Sequence, residues 1–187
     1  MSDESEAVLS VAKLMVLASR TAPKAKGVDT IVTRVIRGPA LKRLSQAMTT
    51  YGKEHEIGFF LRDAQNVAKS SACVVVGARG NETAGLNCGA CGYATCADLT
   101  RAFHKKKTGR AAFTGPNCAI RMTDLGIAAG SAAKTAGIHN TDNRIMFSAG
   151  VAALSLGIPD KDCTVAFGIP LSATGKNIFF DRSVDNK

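Results

Sequence analysis

Positions 4 to 19 carry apolar residues at three- and four-residue spacing. Val8, Val11, Ala12, Met15 and Ala18 form the stripe, and Leu14 and Leu17 widen it. That period predicts an amphipathic helix covered on more than one side. Thr21-Ala-Pro23 ends it, because the residue before a proline avoids the α region. From Val28 to Arg37 β-branched residues dominate, which predicts a strand. Gly38-Pro39 closes that strand and opens a second helix through about Tyr51. A short helix from about Leu61 to Lys69 follows, then a buried strand over residues 72–76 ended by Gly77. Between Gly80 and Cys118 the pattern changes to Gly, Asn and Cys around one amphipathic helix, roughly Cys96 to Lys107. Two alanine-rich helices, Asp124 to Gly137 and Asp142 to Leu156, are split by His139-Asn-Thr. Thr164 to Ile169 is a last apolar strand before a tail punctuated by Pro and Gly. Strands interspersed with helices predict an α/β (α+β) core.

Length makes that core a single one. The 187 residues suit one domain, so residues 80–118 are read as an insert within it. With 29 Ala and 18 Gly against ten aromatic residues, closely packed helices are expected rather than a core built around rings. The first residues, Met1-Ser-Asp-Glu-Ser-Glu6, are acidic, the reverse of a signal peptide's basic start. Apolar runs are broken at Lys13, Arg20 and Lys134, far short of the ~20 residues of a membrane span. A cytoplasmic protein with no membrane partner is expected. In that reducing compartment, clustered cysteines are ligands or catalysts rather than bridges.

The formal charge of +9 is concentrated in two stretches. Residues 20–43 hold seven Lys or Arg against Asp29 alone. Residues 101–110 hold Arg101, Lys105, Lys106, Lys107 and Arg110 with no acid. Such patches suit phosphates or an acidic protein partner. Nucleic acid is not expected, since interleaved aromatics and a helix-turn-helix or finger spacing are missing.

The cysteines carry the strongest chemistry. Cys88, Cys91 and Cys96 form C-x2-C-x4-C, and Cys118 follows after 21 intervening residues. Three thiolates on one tight loop plus a remote fourth is a habit of cubane iron–sulfur sites. Gly85, Gly89 and Gly92 let the loop turn and aim N–H groups at sulfur. Cys96 opens a predicted helix, whose N-terminal N–H groups favour a thiolate. Gly85-Leu-Asn-Cys88 and Gly115-Pro-Asn-Cys118 repeat one phrase, which suggests similar turns on both arms, with Asn117 capping the helix after it. Zinc on four cysteines is the chief rival, but structural zinc sites usually present two C-x2-4-C pairs and this chain has one. A thioredoxin-type Cys88/Cys91 pair leaves Cys96 and Cys118 without a role. Cys73 and Cys163 fall in predicted strands and read as core residues.

Asn87-Cys-Gly-Ala-Cys-Gly-Tyr-Ala-Thr-Cys96 resembles the four-cysteine [4Fe-4S] domain of the corrinoid iron–sulfur subunit of acetyl-CoA synthase complexes and of related electron-transfer proteins. The whole chain resembles a family of uncharacterised bacterial and archaeal ferredoxin-domain proteins. Arg20-Thr-Ala-Pro-Lys-Ala-Lys-Gly-Val-Asp29, Asp124-Leu-Gly-Ile-Ala128 and the stretch from Gly168 to Arg182 carry that likeness. Outside the cysteine insert, the order of elements is similar to the flavin-dependent nitroreductase fold. Ala22-Pro-Lys-Ala-Lys-Gly27 resembles that fold's flavin-contacting loop, and Phe167-Gly-Ile-Pro170 its late strand. The resemblance implies a homodimer and an FMN site using Arg20, Lys24 and Lys26, with Lys176 or Arg182 on the phosphate. The usual arginine-serine-arginine phrase before the first helix and the asparagine of the flavin loop are missing.

The expectation is therefore a nitroreductase-like core sheet flanked by helices, with an inserted four-cysteine [4Fe-4S] module. Its expected role is electron transfer to a redox partner protein, and the basic stretch 101–110 suits an acidic one. Two alternatives stay open. One is an FMN- and cluster-dependent oxidoreductase of nitroreductase type. The other is a zinc-binding or oxygen-sensing structural module. His55, His104 and His139 are scattered without nucleophile partners, so no catalytic residue is assigned.

Overall fold

The computed structural model describes residues 2–105 and 111–181. Among these residues there are six α-helices and a four-stranded sheet; the fourth helix packs on the cysteine loop and the others on the sheet or on one another. In chain order these are α1 (Asp3–Thr21), β1 (Ile31–Ile36), α2 (Pro39–Glu54), α3 (Gly58–Lys69), β2 (Ala72–Ala78), α4 (Cys96–Lys105), α5 (Ala119–Ile138), β3 (Asp142–Asn143), α6 (Phe147–Ser155) and β4 (Val165–Ser172). The strand order is β1-β2-β4-β3 and every pair is antiparallel, so the fold is α+β.

Helices cover both faces of the sheet. On one face, Val74, Val76, Ile169 and Leu171 meet Val11 and Met15 of α1 and Leu125, Ala128, Ala129 and Ala132 of α5. On the other, Cys73, Val75 and Ala166 meet Leu41, Leu44 and Met48 of α2, Val67 of α3 and Ala149, Ala152 and Ala153 of α6. Cover on both sides explains why β2 is a continuous apolar run with every position buried. The alanines let helices sit close. Ser19 of α1 donates its hydroxyl to Ala128 O of α5 at 3.1 Å. A Cβ on Gly150 of α6 would lie 1.8 Å from Ala166 O of β4. Rings nonetheless gather in one place: Tyr51, Phe59, Phe60, Phe113 and Phe147 form a connected aromatic cluster.

Three readings from the sequence need correction. Asp142 to Leu156 is not one helix. Asp142–Asn143 pairs with β4, Met146 exchanges two hydrogen bonds with Gly168, and α6 begins only at Phe147. The last strand does not stop at Pro170 but runs to Ser172. Gly168 faces Met146, so Pro170, two residues on, turns its nitrogen to the same side, between that bridge and β3, where no ladder bond is asked of it. Finally, α5 starts at Ala119, five residues before Asp124, directly after the fourth cysteine of the motif. Its end matches the expected break, with His139 as cap and Asn140 in a left-handed conformation.

Candidate iron–sulfur centre

The segment from Gly80 to Cys118 leaves the sheet at the end of β2 and returns to it through α5. Cys88, Cys91, Cys96 and Cys118 line one narrow recess, with Thr83, Tyr93 and Leu99 in its walls. A small apolar cluster forms the floor: Ala84, Leu99 and Cys118 are buried, with Tyr93 and Ile120 packed beside them. The four thiols differ in exposure. Cys118 is buried, Cys91 and Cys96 are half-buried, and Cys88 is exposed. All six cysteines are free thiols.

Each arm has its own scaffold. On the loop, Gly85, Asn87, Gly89 and Gly92 all take positive φ, the conformation that allows three cysteines within so short a span. Asn87 acts in both directions. Its Oδ1 accepts the Cys96 N–H at 2.8 Å. Its own N–H points at the Cys96 sulfur and is the main reason that thiol is held below the ordinary cysteine range; the Thr83 hydroxyl and the N–H groups of Leu86 and Gly85 act in the same direction. α4 then starts at Cys96 under a reciprocal cap, in which Asp98 N–H donates to Thr95 Oγ1 at 3.2 Å and Thr95 N–H to Asp98 Oδ2 at 3.2 Å. The Thr95 hydroxyl and the Arg101 guanidinium keep the Asp98 carboxyl below its usual range.

The remote arm is built differently. Cys118 is itself the N-cap of α5, and its N–H donates to Gly80 O at 2.8 Å. Asn117 is not the cap expected from the sequence. Its amide donates to Thr114 O at 2.7 Å, and its Oδ1 accepts the Thr164 hydroxyl at 2.6 Å. Thr164 Oγ1 also accepts the Gly80 N–H at 3.0 Å. The repeated Gly-x-Asn-Cys phrase therefore does not make the same turn twice, since Asn87 has φ 47° while Asn117 stays outside the left-handed region. A Cβ on Gly80 would lie 2.5 Å from Asn117 Oδ1 and 2.8 Å from Thr164 Oγ1. Gly80→Ala is therefore expected to destabilise the fold by about 1–3 kcal/mol through overpacking. It should also lower the iron content of the purified chain, because the wedge enters the junction that seats Cys118. Iron assay beside thermal melting checks this, and an unchanged metal content would show the junction to be irrelevant to the site.

Behind the site lies a buried ion pair that the sequence reading missed. Arg121 donates to Asp124 at 3.0 Å, both side chains being under 5% exposed. Its guanidinium also holds the carbonyls of Ala25, Val28 and Glu82, while Asp124 accepts the Ala25 N–H at 2.9 Å. One charged pair thus ties α5, the turn at residues 24–28 and the entrance of the cysteine loop together. The available signal was an Arg-x-x-Asp pair at the start of an alanine-rich helix, where both charges share its buried face.

The candidate flavin residues separate into two places. Arg20 pairs with Asp29 and donates to Ile31 O. The Lys24 ammonium is turned inward onto Ser19 O and Arg20 O, and its burial pushes its pKa down. Lys26 is exposed in the same turn. Lys176 lies beyond the far end of β4, paired with Asp181 at 2.7 Å. The register puts Ile31, Ala78 and Val165 at one end of the sheet and Ser172 at the other, so Lys176 is remote from the turn within one chain. Arg182, Lys106, Lys107 and Arg110 lie outside the described residues. Cys73 is buried in β2, and burial pushes its thiol up to about 12. Cys163 is not in a strand but in the turn before β4, and burial pushes it up to about 11. Neither joins the recess.

The donor set fits an iron–sulfur cluster: four soft thiols, a glycine-rich loop offering N–H groups, and a dry floor. Among the described residues, no three His, Cys, Asp or Glu converge as ligands of a single ion would. No helix there is long and apolar enough to cross a membrane.

Comparison with known proteins agrees with this reading of the fold and the loop. Residues 84–110 match a family described as "Putative Fe-S cluster". Residues 114–182 match one described as "Uncharacterized protein containing a ferredoxin domain". An uncharacterized protein of Archaeoglobus fulgidus is 42% identical over 180 residues, covering 96% of this chain and 94% of its own. Among solved structures, the nitroreductase CinD of Lactococcus lactis in complex with nicotinic acid is similar with a TM-score of 0.58 at 11% identity, over 97% of this chain and 85% of that one. The nitroreductase of Saccharomyces cerevisiae is similar with a TM-score of 0.55 at 13% identity, over 89% and 82%. At such identities these two likenesses concern the fold alone, which is nitroreductase-like. The sequence matches reach further: this chain belongs to the family of proteins containing a ferredoxin domain.

Proposed function

We propose that the chain is a [4Fe-4S] redox protein that relays single electrons, its ligands being Cys88, Cys91, Cys96 and Cys118. The observation that carries this is the meeting of a three-cysteine loop and a helix-capping fourth cysteine on one recess. When bound, such a cluster takes up and releases one electron at a time. The protein's part is to hold and tune it. Asn87 and the glycine loop direct N–H groups toward sulfur, Leu99 and Tyr93 exclude water from the inner side, and the exposed Cys88 leaves an outer side open. Anaerobically purified protein should contain about four irons and about four sulfides per chain. One zinc per chain without colour would overturn the proposal in favour of a structural site.

Arg101 and Lys105 are exposed on α4, the helix that begins at Cys96, and suit an acidic electron-carrier protein. Association rates with such a carrier are expected to fall steeply between low salt and 0.1 M, where the screening length is about 10 Å. Rates indifferent to salt would remove the acidic partner from the proposal.

A second reading is favoured by the fold alone. One similar structure is described as an NADPH:FMN oxidoreductase from Vibrio harveyi complexed with NAD+. In this reading the chain is an FMN- and cluster-dependent oxidoreductase, with Arg20 and the turn around Lys24 and Lys26 near the flavin. Because Lys176 is remote from that turn in one chain, a shared site would require a homodimer in which a second copy supplies it. Release of stoichiometric FMN on denaturation, from a species of twice the chain mass, supports this reading. A monomer without flavin removes it.

A further inference from the structure

Lys26 is held in the left-handed region, with φ 58° and ψ 18°, and Gly27 follows it there with φ 66°. A long side chain in that conformation costs backbone energy that glycine would avoid. The reason for a lysine is therefore to be sought in what its side chain reaches. Its Nζ lies 3.9 Å from the point where a Cβ on Gly85 would sit. Gly85 belongs to the loop whose N–H groups face the Cys96 sulfur. The turn that carries Lys26 is not free to drift. Asp124 holds the N–H of Ala25, and Arg121 holds the carbonyls of Ala25 and Val28 on either side of Lys26. The same guanidinium holds Glu82 O, three residues before Gly85. Among the described residues, Arg20 and Lys24 share Asp29, while Lys26 pairs with no carboxylate.

We propose that Lys26 is a positioning residue that sets the reduction potential of the cluster, its ammonium held against the cysteine loop by the turn at residues 24–28. This rests on the iron–sulfur reading above. Reduction brings one electron from an external donor onto a group already negative through its four thiolates, and no bond to the protein forms or breaks. A fixed positive charge nearby favours the more negative, reduced form. Removing it should lower the potential.

The test is an anaerobic spectroelectrochemical titration, with dithionite as reductant, of the wild-type chain and of Lys26→Gly, Lys26→Gln and Lys26→Arg. Iron and sulfide are measured first. Lys26→Gly suits the left-handed backbone, so it should fold and melt at least as well as the wild type while losing the charge. At a fixed potential and low ionic strength, the reduced-to-oxidised ratio is expected to fall several-fold in Lys26→Gly and Lys26→Gln. Tenfold corresponds to 59 mV for one electron. Lys26→Arg should keep the wild-type value. The difference should shrink as salt rises, since the ammonium is exposed. Loaded Lys26→Gly and Lys26→Gln chains with the wild-type potential would overturn the role of Lys26 alone. A wild-type chain free of iron and sulfide would instead overturn the reading on which it rests.

Discussion

Cys118→Ala is expected to strip iron and sulfide together, leaving a folded, colourless chain with less than about a tenth of the wild-type metal, as when one ligand of a cubane is deleted. Cys118 is the buried member of the set and the one not carried by the loop, so no neighbouring thiol can take its place. The fold should tolerate the change. Cys118 caps α5 through its backbone position, and its side chain makes no capping bond that alanine would forfeit. The N–H to Gly80 O bond is also retained by alanine. Iron and sulfide analysis beside circular dichroism separates loss of the cluster from loss of the fold. Cys73→Ala and Cys163→Ala are the controls: both thiols are buried, pushed above the ordinary cysteine range and away from the recess, and both variants should stay loaded. A Cys118→Ala chain with full metal would exclude Cys118 as the fourth ligand.

The second large effect lies in Arg121→Met. Removing one partner of a buried pair leaves the other charge without compensation, at a cost of about 3–5 kcal/mol. For a chain of this length that corresponds to a fall in melting temperature of roughly 10 °C. Arg121 should matter more than Asp124, because its loss also frees the carbonyls of Ala25, Val28 and Glu82. Asp124→Asn should be milder, since an amide oxygen can still accept the Ala25 N–H. The double change to Met and Leu should cost less than the sum of the single changes, since no lone charge stays buried. Thermal denaturation of the apo-chain compares these variants with the wild type without interference from metal. If Arg121→Met melts within a degree or two of wild type, the pair does not bind the turn to α5 as described.

What could be read from the sequence divides along the range of the interactions. The three loop cysteines and their glycines were legible because thiol spacing and positive φ are local properties, as at Gly85, Gly89 and Gly92. That Cys118 lines the same recess as the loop cysteines was foreshadowed by chemistry alone. Its seat was not, because Asn117 binds Thr164, 47 residues away, instead of capping the next helix. Arg121 and Asp124 looked like ordinary helix charges, and only the return of the 24–28 turn buries them. Asp142 to Leu156 had helical periodicity, yet Met146 is drawn onto Gly168 of β4 by pairing that no local pattern announces. The antiparallel β1-β2-β4-β3 order was likewise out of reach of periodicity, which assigns elements but not neighbours.

The burial gradient across the four thiols has a consequence for how the protein matures. Cys118 lies at the start of a helix that belongs to the core, while Cys88 is exposed to solvent. A preassembled cluster offered from solvent would meet Cys88 first. An oxidant arriving from solvent would likewise meet Cys88 before Cys91, Cys96 or Cys118, so the thiol most open to damage is also the one a repair system would reach first.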